Sequence, residues 1–449
     1  MTAHIARRNA ETALVDPDAF PSRGSDVAPV RWLQGVRYGA LGLPLAFVAL
    51  PLYVVLPNHY ATEFGIPLGA LGAVLLGARA LDAVADPLIG RAADRWLSQG
   101  ARTAWWVIAM AAVVLAAGFA ALFFPAVEGS SALLVWCAAT LVVTYLGYSV
   151  ATVVHQSWGA RLGGDAPQRA RIVAWREGMA LVGVLVASVL PSVAGLTVTT
   201  VVFALVLAIG VGCLRAAPAP APVPAPARSG TTVRPVSLRL PFATPAFRRL
   251  LAVYLVNGIA SAVPATLVLF FIRDRLQAPS YEPLFLASYF AAGALSIPLW
   301  VRAVRWWGLE RAWLVGMVLA IVVFSAAAML GAGDVMAYTA VCALSGIALG
   351  ADLTLPSAIL AGVIQRAGHG EQAEGAYFGW WNCATKLNLA LAAGVALPAL
   401  SWFGYAPGSD SPQALSALTT AYCVLPCLLK ISAGVLLYTL LIRNPQETP

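Results

Sequence analysis

Apolar runs of about 20 residues recur along the chain, and each has the length a helix needs to cross bilayer hydrocarbon. Twelve can be placed, near residues 36–57, 67–90, 104–125, 131–157, 172–195, 198–215, 248–272, 282–302, 311–331, 335–364, 374–403 and 415–442. In hydrocarbon every backbone polar group must be satisfied within its own segment, so such runs fold as helices. Composition agrees, since 60% of residues are hydrophobic and only 11% are charged, against roughly 25% charged in a soluble domain. Most polar residues fall in short connections, which leaves no soluble domain of useful size. The expected class is an all-α, multi-pass membrane protein whose first partner is the lipid bilayer.

The formal net charge of +8 does not point to nucleic acid, because the basic residues gather in alternate connections. Arg91, Arg95 and Arg102 follow the second span, Arg161, Arg169 and Arg171 the fourth, Arg302, Arg305 and Arg311 the eighth, and Arg443 the twelfth. Opposite connections, such as 125–131 and 407–412, carry no arginine. This positive-inside pattern predicts an inner (plasma) membrane protein with both termini cytoplasmic. Residues 1–35 lack an apolar core and read as a disordered cytoplasmic tail, with a second short tail at 443–449. Residues 216–247 open with Ala-Pro repeats and carry arginines, a stiff cytoplasmic linker between a six-helix bundle at 36–215 and another at 248–442. A weak repeat supports the division: Arg91, Arg95, Trp96, Arg102 and Trp105 in the first half match Arg302, Arg305, Trp306, Arg311 and Trp313 in the second. Two six-span halves with matching basic loops are the signature of the major facilitator fold. The six cysteines all sit in apolar runs without disulfide or metal spacing and read as inert packing residues.

Charges inside the apolar runs are the next constraint. Arg79, Asp82 and Asp86 fall within about 60° of one another on one face of the second span, and charge at that depth normally faces a bundle interior or a water-filled cavity. Pro87 follows and leaves the carbonyl of Ala83 without its helical donor. Two carboxylates one turn apart beside an arginine can hold a proton or a small cation; a structural ion pair between Arg79 and one aspartate is the plainer alternative. The chain has only two lysines, Lys386 and Lys430, both inside expected spans. Lys386 shares a face with Cys383, Asn382, Gly379 and Gly375, small enough to let another helix approach. Its partner is either Asp352 on the tenth span or Asp82 and Asp86 on the second. Lys430 follows Pro426 deep in the twelfth span and can snorkel.

Tyr145, Tyr148, Thr152, His155, Gln156 and Gly159 lie within about 100° of one face of the fourth span, with Trp158 close by. The stripe suits a cavity wall or interhelical contact, and His155 also suits simple packing. Tyr254, Asn257 and Ser261 form a comparable stripe on the seventh span, and Trp381 and Asn382 accompany Lys386 on the eleventh.

The run from Arg79 through Asp82, Asp86 and Pro87 to Gly90 resembles the second-span signature of the glycoside–pentoside–hexuronide:cation symporters, the melibiose permease family. So do His155 to Trp158 continuing to Trp175-Arg176-Glu177-Gly178, and Glu374-Gly-Ala-Tyr377 to Trp380-Trp381 ending at Lys386. The resemblance implies that Asp82 and Asp86 are the coupling-cation carboxylates (ligands of Na⁺ if sodium is the coupling ion), with Lys386 communicating with them. It implies that Arg176 and Trp158 help form a sugar site. Departures are plain: the family's sugar-binding aspartates on spans 1 and 4 align with Ala46 and Val154, two lesser sodium ligands with Ala85 and Ala151, and an acidic pair after span 10 with Gly362 and Gln365. Hard cations want several oxygens, so proton coupling is expected at least as readily as sodium coupling.

The expectation is a cation-coupled (H⁺ or Na⁺) secondary transporter that moves a small organic solute by alternating access, working as a monomer without cofactors. The family default is a sugar or glycoside; a larger amphipathic solute, such as a lysolipid or drug-like molecule, and a non-transporting membrane sensor are the alternatives. No HExxH, GxSxG or His/Cys/Asp cluster points to an enzyme. Candidate pocket residues are Arg176, Trp158, Tyr148, Thr152, His155, Tyr254, Asn257, Trp381 and Asn382.

Overall fold

A computed structural model describes residues 30–220 and 237–443, apart from residues 403, 406, 407, 409 and 410. The described residues are helical nearly throughout and contain no strand. In chain order the segments are α1 (Trp32–Glu63), α2 (Leu68–Ser98), α3 (Ala101–Phe123) and α4 (Ser130–Arg161). Next come α5 and α6, residues 166–194 and 196–215 of one continuous run, and α7 (Pro245–Arg275). The second half continues with α8 and α9, residues 282–307 and 309–327 of another continuous run, then α10 (Val335–Arg366), α11 (Glu374–Trp402) and α12 (Pro412–Ile442). Among the described residues this gives the twelve segments that the apolar runs imply. Most of the expected tails (1–29 and 444–449) and most of the linker (221–236) lie outside the described residues.

The two continuous runs need explaining, since a straight 50-residue helix would be about 75 Å long. Gly195 breaks the first with φ 77° and ψ 172°, and Gly308 breaks the second with φ 77° and ψ 175°, a combination essentially confined to glycine. The first run does reverse: Trp175 packs on Gly35, while the carbonyl of Ala216 accepts from Arg37 at 3.3 Å, so both its ends lie beside the start of α1. Several helices run past the expected boundaries. α2 continues to Ser98 and α8 to residue 307, drawing Arg91, Arg95, Arg302 and Arg305 into helix rather than loop. Here glycines at 100 and 308 end the helices, not the edge of the apolar run. α1 is less regular than expected, with a π-type turn at Pro51–Val55 where Pro51 removes a donor.

The halves meet most closely along α2 and α11. A Cβ added at Gly375 would sit 2.1 Å from the carbonyl oxygen of Gly90, and one at Gly379 would sit 2.5 Å from that of Asp86. At the end that carries the linker, this glycine seam is tied by buried charge. Asp94 accepts from the backbone N–H groups of Gly375 at 2.6 Å and Ala376 at 2.9 Å, at the positive end of α11 where an anion is favoured. Arg161 on α4 donates to Glu374 at 2.9 Å and lies 3.5 Å from Asp94. Arg169 donates to Gln365 at 3.0 Å, and one apolar cluster joins Ala160, Ala170 and Val173 to the second half through Ile359, Val363 and Phe378.

Gly375→Leu forces α2 and α11 apart. In a background with the native cysteines replaced, spin labels at Ser98 and Gln372, both exposed, should separate by roughly 2–3 Å towards ordinary interhelix spacing. An unchanged distance distribution would show that the seam is not held by glycine contact.

Candidate functional site

Asp82 and Asp86 project from α2 into the interior, 3% and 0% exposed. The glycine seam brings α11 close enough for Lys386 to reach both. Its ammonium lies 2.7 Å from Asp82 Oδ2 and 2.8 Å from Asp86 Oδ2, and donates to Ser149 Oγ on α4 at 2.8 Å. Ser149 donates in turn to Asp82 Oδ1 at 2.6 Å. The three ammonium protons are therefore matched by three acceptors, two carboxylates and one hydroxyl. Of the two partners open to Lys386 from sequence, the structure gives it the second-span aspartates.

Arg79 stands apart from this cluster. Its guanidinium lies 3.9 Å over the Tyr53 ring and 5.7 Å from the Tyr145 ring, and among the described residues no carboxylate comes within ion-pair distance of it. The plainer alternative for α2, a salt bridge from Arg79 to its own helix, is not what these side chains form. Cation–π contact with two tyrosines holds the charge instead.

Asp352 takes the second lysine. Lys430 Nζ sits 2.8 Å from Asp352 Oδ2, and donates to Asn257 Oδ1 at 3.0 Å and Ser261 Oγ at 3.1 Å. Asp352 Oδ1 accepts from Trp313 Nε1 at 2.8 Å and Asn257 Nδ2 at 3.2 Å. Lys430 is 7% exposed, so it does not snorkel; its reach is spent inward, across α7 and α10. Asn257, a pocket candidate, belongs to this second cluster.

The remaining candidates divide. Tyr254 stacks on Trp381 at 3.7 Å between centroids with 21° between planes, and its hydroxyl is 2.7 Å from Thr385 Oγ1. Asn382 donates to Gln156 at 2.9 Å, joining α11 to α4. Tyr148 is half-buried, and Thr152 Oγ1 is buried with no partner among the described residues. Arg176 is buried and donates to its neighbour Glu177 at 2.6 and 2.9 Å. His155 and Trp158 are engaged in packing: His155 Nε2 lies 2.9 Å from the Tyr38 carbonyl, and Trp158 Nε1 donates to the Pro218 carbonyl at 2.9 Å. Ser149 was not among the candidates. It lies one turn from Tyr145 on α4, and no sequence signal distinguishes it from its polar neighbours.

Two carboxylates and one ammonium leave the α2–α4–α11 cluster with one negative charge in excess, which suits one proton or one monovalent cation. For a hard cation the oxygen donors on hand are the two carboxylates and Ser149 Oγ. No group of three or more His, Cys, Asp or Glu side chains among the described residues could hold a metal ion.

A family profile described as MFS/sugar transport protein matches residues 37–444. The inner membrane symporter YicJ of Escherichia coli (strain K12) is 30% identical over 166 residues, 37% of this chain and 35% of that protein, so the alignment spans about a third of that relative's length. Among solved structures, a bacterial homologue of the iron transporter ferroportin in an outward-facing state superposes with a TM-score of 0.64 at 17% identity, covering 92% of this chain and 98% of that one. The human organic anion transporter MFSD10 (TETRAN) gives 0.62 at 18% identity, covering 90% and 98%. At such identities these likenesses show a shared fold.

The Lys386 pairing has a stability consequence. Lys386→Met leaves two buried carboxylates facing each other and should cost about 3–5 kcal/mol. Thermal unfolding, followed by exposure of the buried Cys137 and Cys423 to a thiol dye, should shift down accordingly. Adding Asp86→Asn should recover most of the loss; no recovery would show that the lysine acts through packing rather than charge.

Proposed function

The chain belongs to the MFS/sugar transport protein family, and from that premise we propose that it is a cation-coupled secondary transporter in which H⁺ or Na⁺ replaces the Lys386 ammonium between Asp82 and Asp86. Membership makes it a multi-pass membrane transporter and not an enzyme. The observation that carries the coupling is the position of the Lys386 ammonium, shared by both carboxylates and Ser149. Those carboxylates stand on the first half and the lysine on the second, so the ion pair crosses the line along which the halves must part.

With the carboxylates ionised, the ammonium holds α11 against α2. A proton or Na⁺ taken up by Asp82 and Asp86 offsets one of the two negative charges that hold Lys386 and weakens the tie between halves. Cation and solute are coupled when both favour the same arrangement of the halves, and the coupling is reciprocal. The arginine-rich linker end faces the cytoplasm by the positive-inside rule. The glycine seam and the Asp94–Arg161–Glu374 ties then describe a carrier closed on its cytoplasmic side. The name of the E. coli relative supports an inner-membrane location and symport. The solute is a small organic molecule, by family a sugar or glycoside, and the Tyr254–Trp381 stack and the Asn382–Gln156 pair between the halves are the groups best placed to meet it. Ala46 and Val154, where the resembling family places acidic sugar ligands, offer a galactoside no hydrogen bonds.

The test is cation binding without solute. Intrinsic Trp fluorescence of purified protein is titrated with Na⁺ at several pH values, for wild type and Asp86→Asn. Loss of an oxygen ligand should weaken a Na⁺ response by more than about tenfold, since second-shell losses alone cost 10–100-fold. A response to pH alone, abolished in Asp86→Asn, identifies H⁺ as the coupling ion. A wild-type response that survives in Asp86→Asn, or no response to either cation, would sink the assignment.

A further inference from the structure

A cavity of about 220 Å³ lies in the second half, lined by α7, α8, α9, α10 and α12. Ser261 and Ala265, both exposed on α7, stand at its edge. It shares no lining residue with the Asp82–Asp86–Lys386 cluster. Interiors are packed almost without voids larger than a water, so a space of this size is a feature of the site. An apolar cavity of about 150 Å³ holds benzene; this one has room for a ring and a few atoms more.

The walls define what would fill it. Phe285, Tyr289, Phe290 and Phe324 present rings, and Ile321 and Leu349 supply aliphatic surface. The charges at one end are already spent: the Lys430 ammonium is matched by Asp352, Asn257 and Ser261, and Asp352 also accepts from Trp313. At the aromatic end the hydroxyls of Tyr338 and Tyr422 bond each other at 2.6 Å. A charged guest would find no unpaired counter-charge and would lose its hydration. Among the lining side chains, one buried polar atom is left without a partner. Ser345 on α10 is 9% exposed and lines the cavity, and its Oγ has no partner among the described residues. A buried hydroxyl without a partner is costly, and water gains little here because it needs two to four polar partners.

We propose that this cavity is a binding site for a neutral, single-ring aromatic molecule carrying one hydroxyl-type group, with the ring among Tyr289, Phe290 and Phe324 and the polar group on Ser345. The guest bridges α8, α9 and α10 of the second half. Its recognition is independent of the coupling carboxylates.

The test uses 4-fluorophenol and fluorobenzene as probes, followed by ¹⁹F NMR with the full chain in nanodiscs and with empty nanodiscs as the partitioning control. Saturable binding of both is expected, with 4-fluorophenol favoured about fivefold, the effect of one net hydrogen bond. Ser345→Ala should bring the two to equal affinity. Ala320→Phe, which fills the cavity from α9, should abolish binding, and Leu349→Phe fills it from α10 should the first variant not fold. Asp86→Asn should leave probe binding unchanged, so that this site and the cation assignment stand or fall separately. No saturable binding beyond empty nanodiscs would overturn the proposal. So would binding that survives both filling variants, or a phenol preference that survives Ser345→Ala.

Discussion

Charge placed in hydrocarbon must be compensated inside the protein: Arg79 rests on the rings of Tyr53 and Tyr145, and the buried carboxylates of α2 and α10 are met by two lysines. Each is sunk at mid-helix and each is saturated: Lys386 by Asp82, Asp86 and Ser149, Lys430 by Asp352, Asn257 and Ser261. Leaving any of these groups unpaired would cost several kcal/mol at such depth. The helix arrangement must therefore bring α11 to α2 and α12 to α10 before the chain can be stable at all. The glycines at 90, 375 and 379 serve that end. A side chain at any of them would hold α11 away and leave the ammonium short of its partners.

Much of the fold could be read from the sequence because hydrocarbon thickness and helical rise fix the length of a span. Gly195 and Gly308 could be read as breaks only roughly, since neighbouring residues remain helical up to the break itself. The intramembrane charges were legible for the same reason as the spans: a carboxylate in an apolar run stands out. Which charge meets which was not, because periodicity places a residue on a face without saying what helix lies opposite. Lys386 had two possible partners, and Lys430, treated as able to snorkel, turned out to be the one that takes Asp352. Ser149 was invisible among the hydroxyls and rings of α4. His155 and Trp158 show the converse difficulty. Their polar aromatic pattern fits a cavity wall, yet the carbonyls of Tyr38 and Pro218 take their N–H groups into packing; a backbone acceptor leaves no trace in the residue pattern.

The linker end obeys a different electrostatic logic. Arginines dominate there, but the residues that join the halves are the acids among them. Asp94 sits on the first N–H groups of α11, and Glu374 on Arg161. Each carboxylate accepts from partners on the opposite half, and the side chains are 0–3% exposed. Such contacts are strong while dry and are lost when water enters, so they suit a seam that opens all at once.

The two lysine clusters differ in where their partners stand, and that difference is what a rocking carrier requires. Asp352, Asn257, Ser261 and Trp313 lie on α10, α7 and α9, with Lys430 on α12, so every member belongs to the second half. On the proposed mechanism, opening and closing leave those bonds untouched, and they let the half move as one body. Lys386 belongs to the second half but its partners belong to the first, so any separation near α2 and α11 must break that pair or replace it. A cation is the natural replacement, because it offers the same two carboxylates the one positive charge that the ammonium did, without bridging the halves. On the proposed mechanism the permanent pair and the exchangeable pair are therefore complementary: a second half that could deform around Asp352 would absorb the release of Lys386 locally, and the cation would no longer move the solute site.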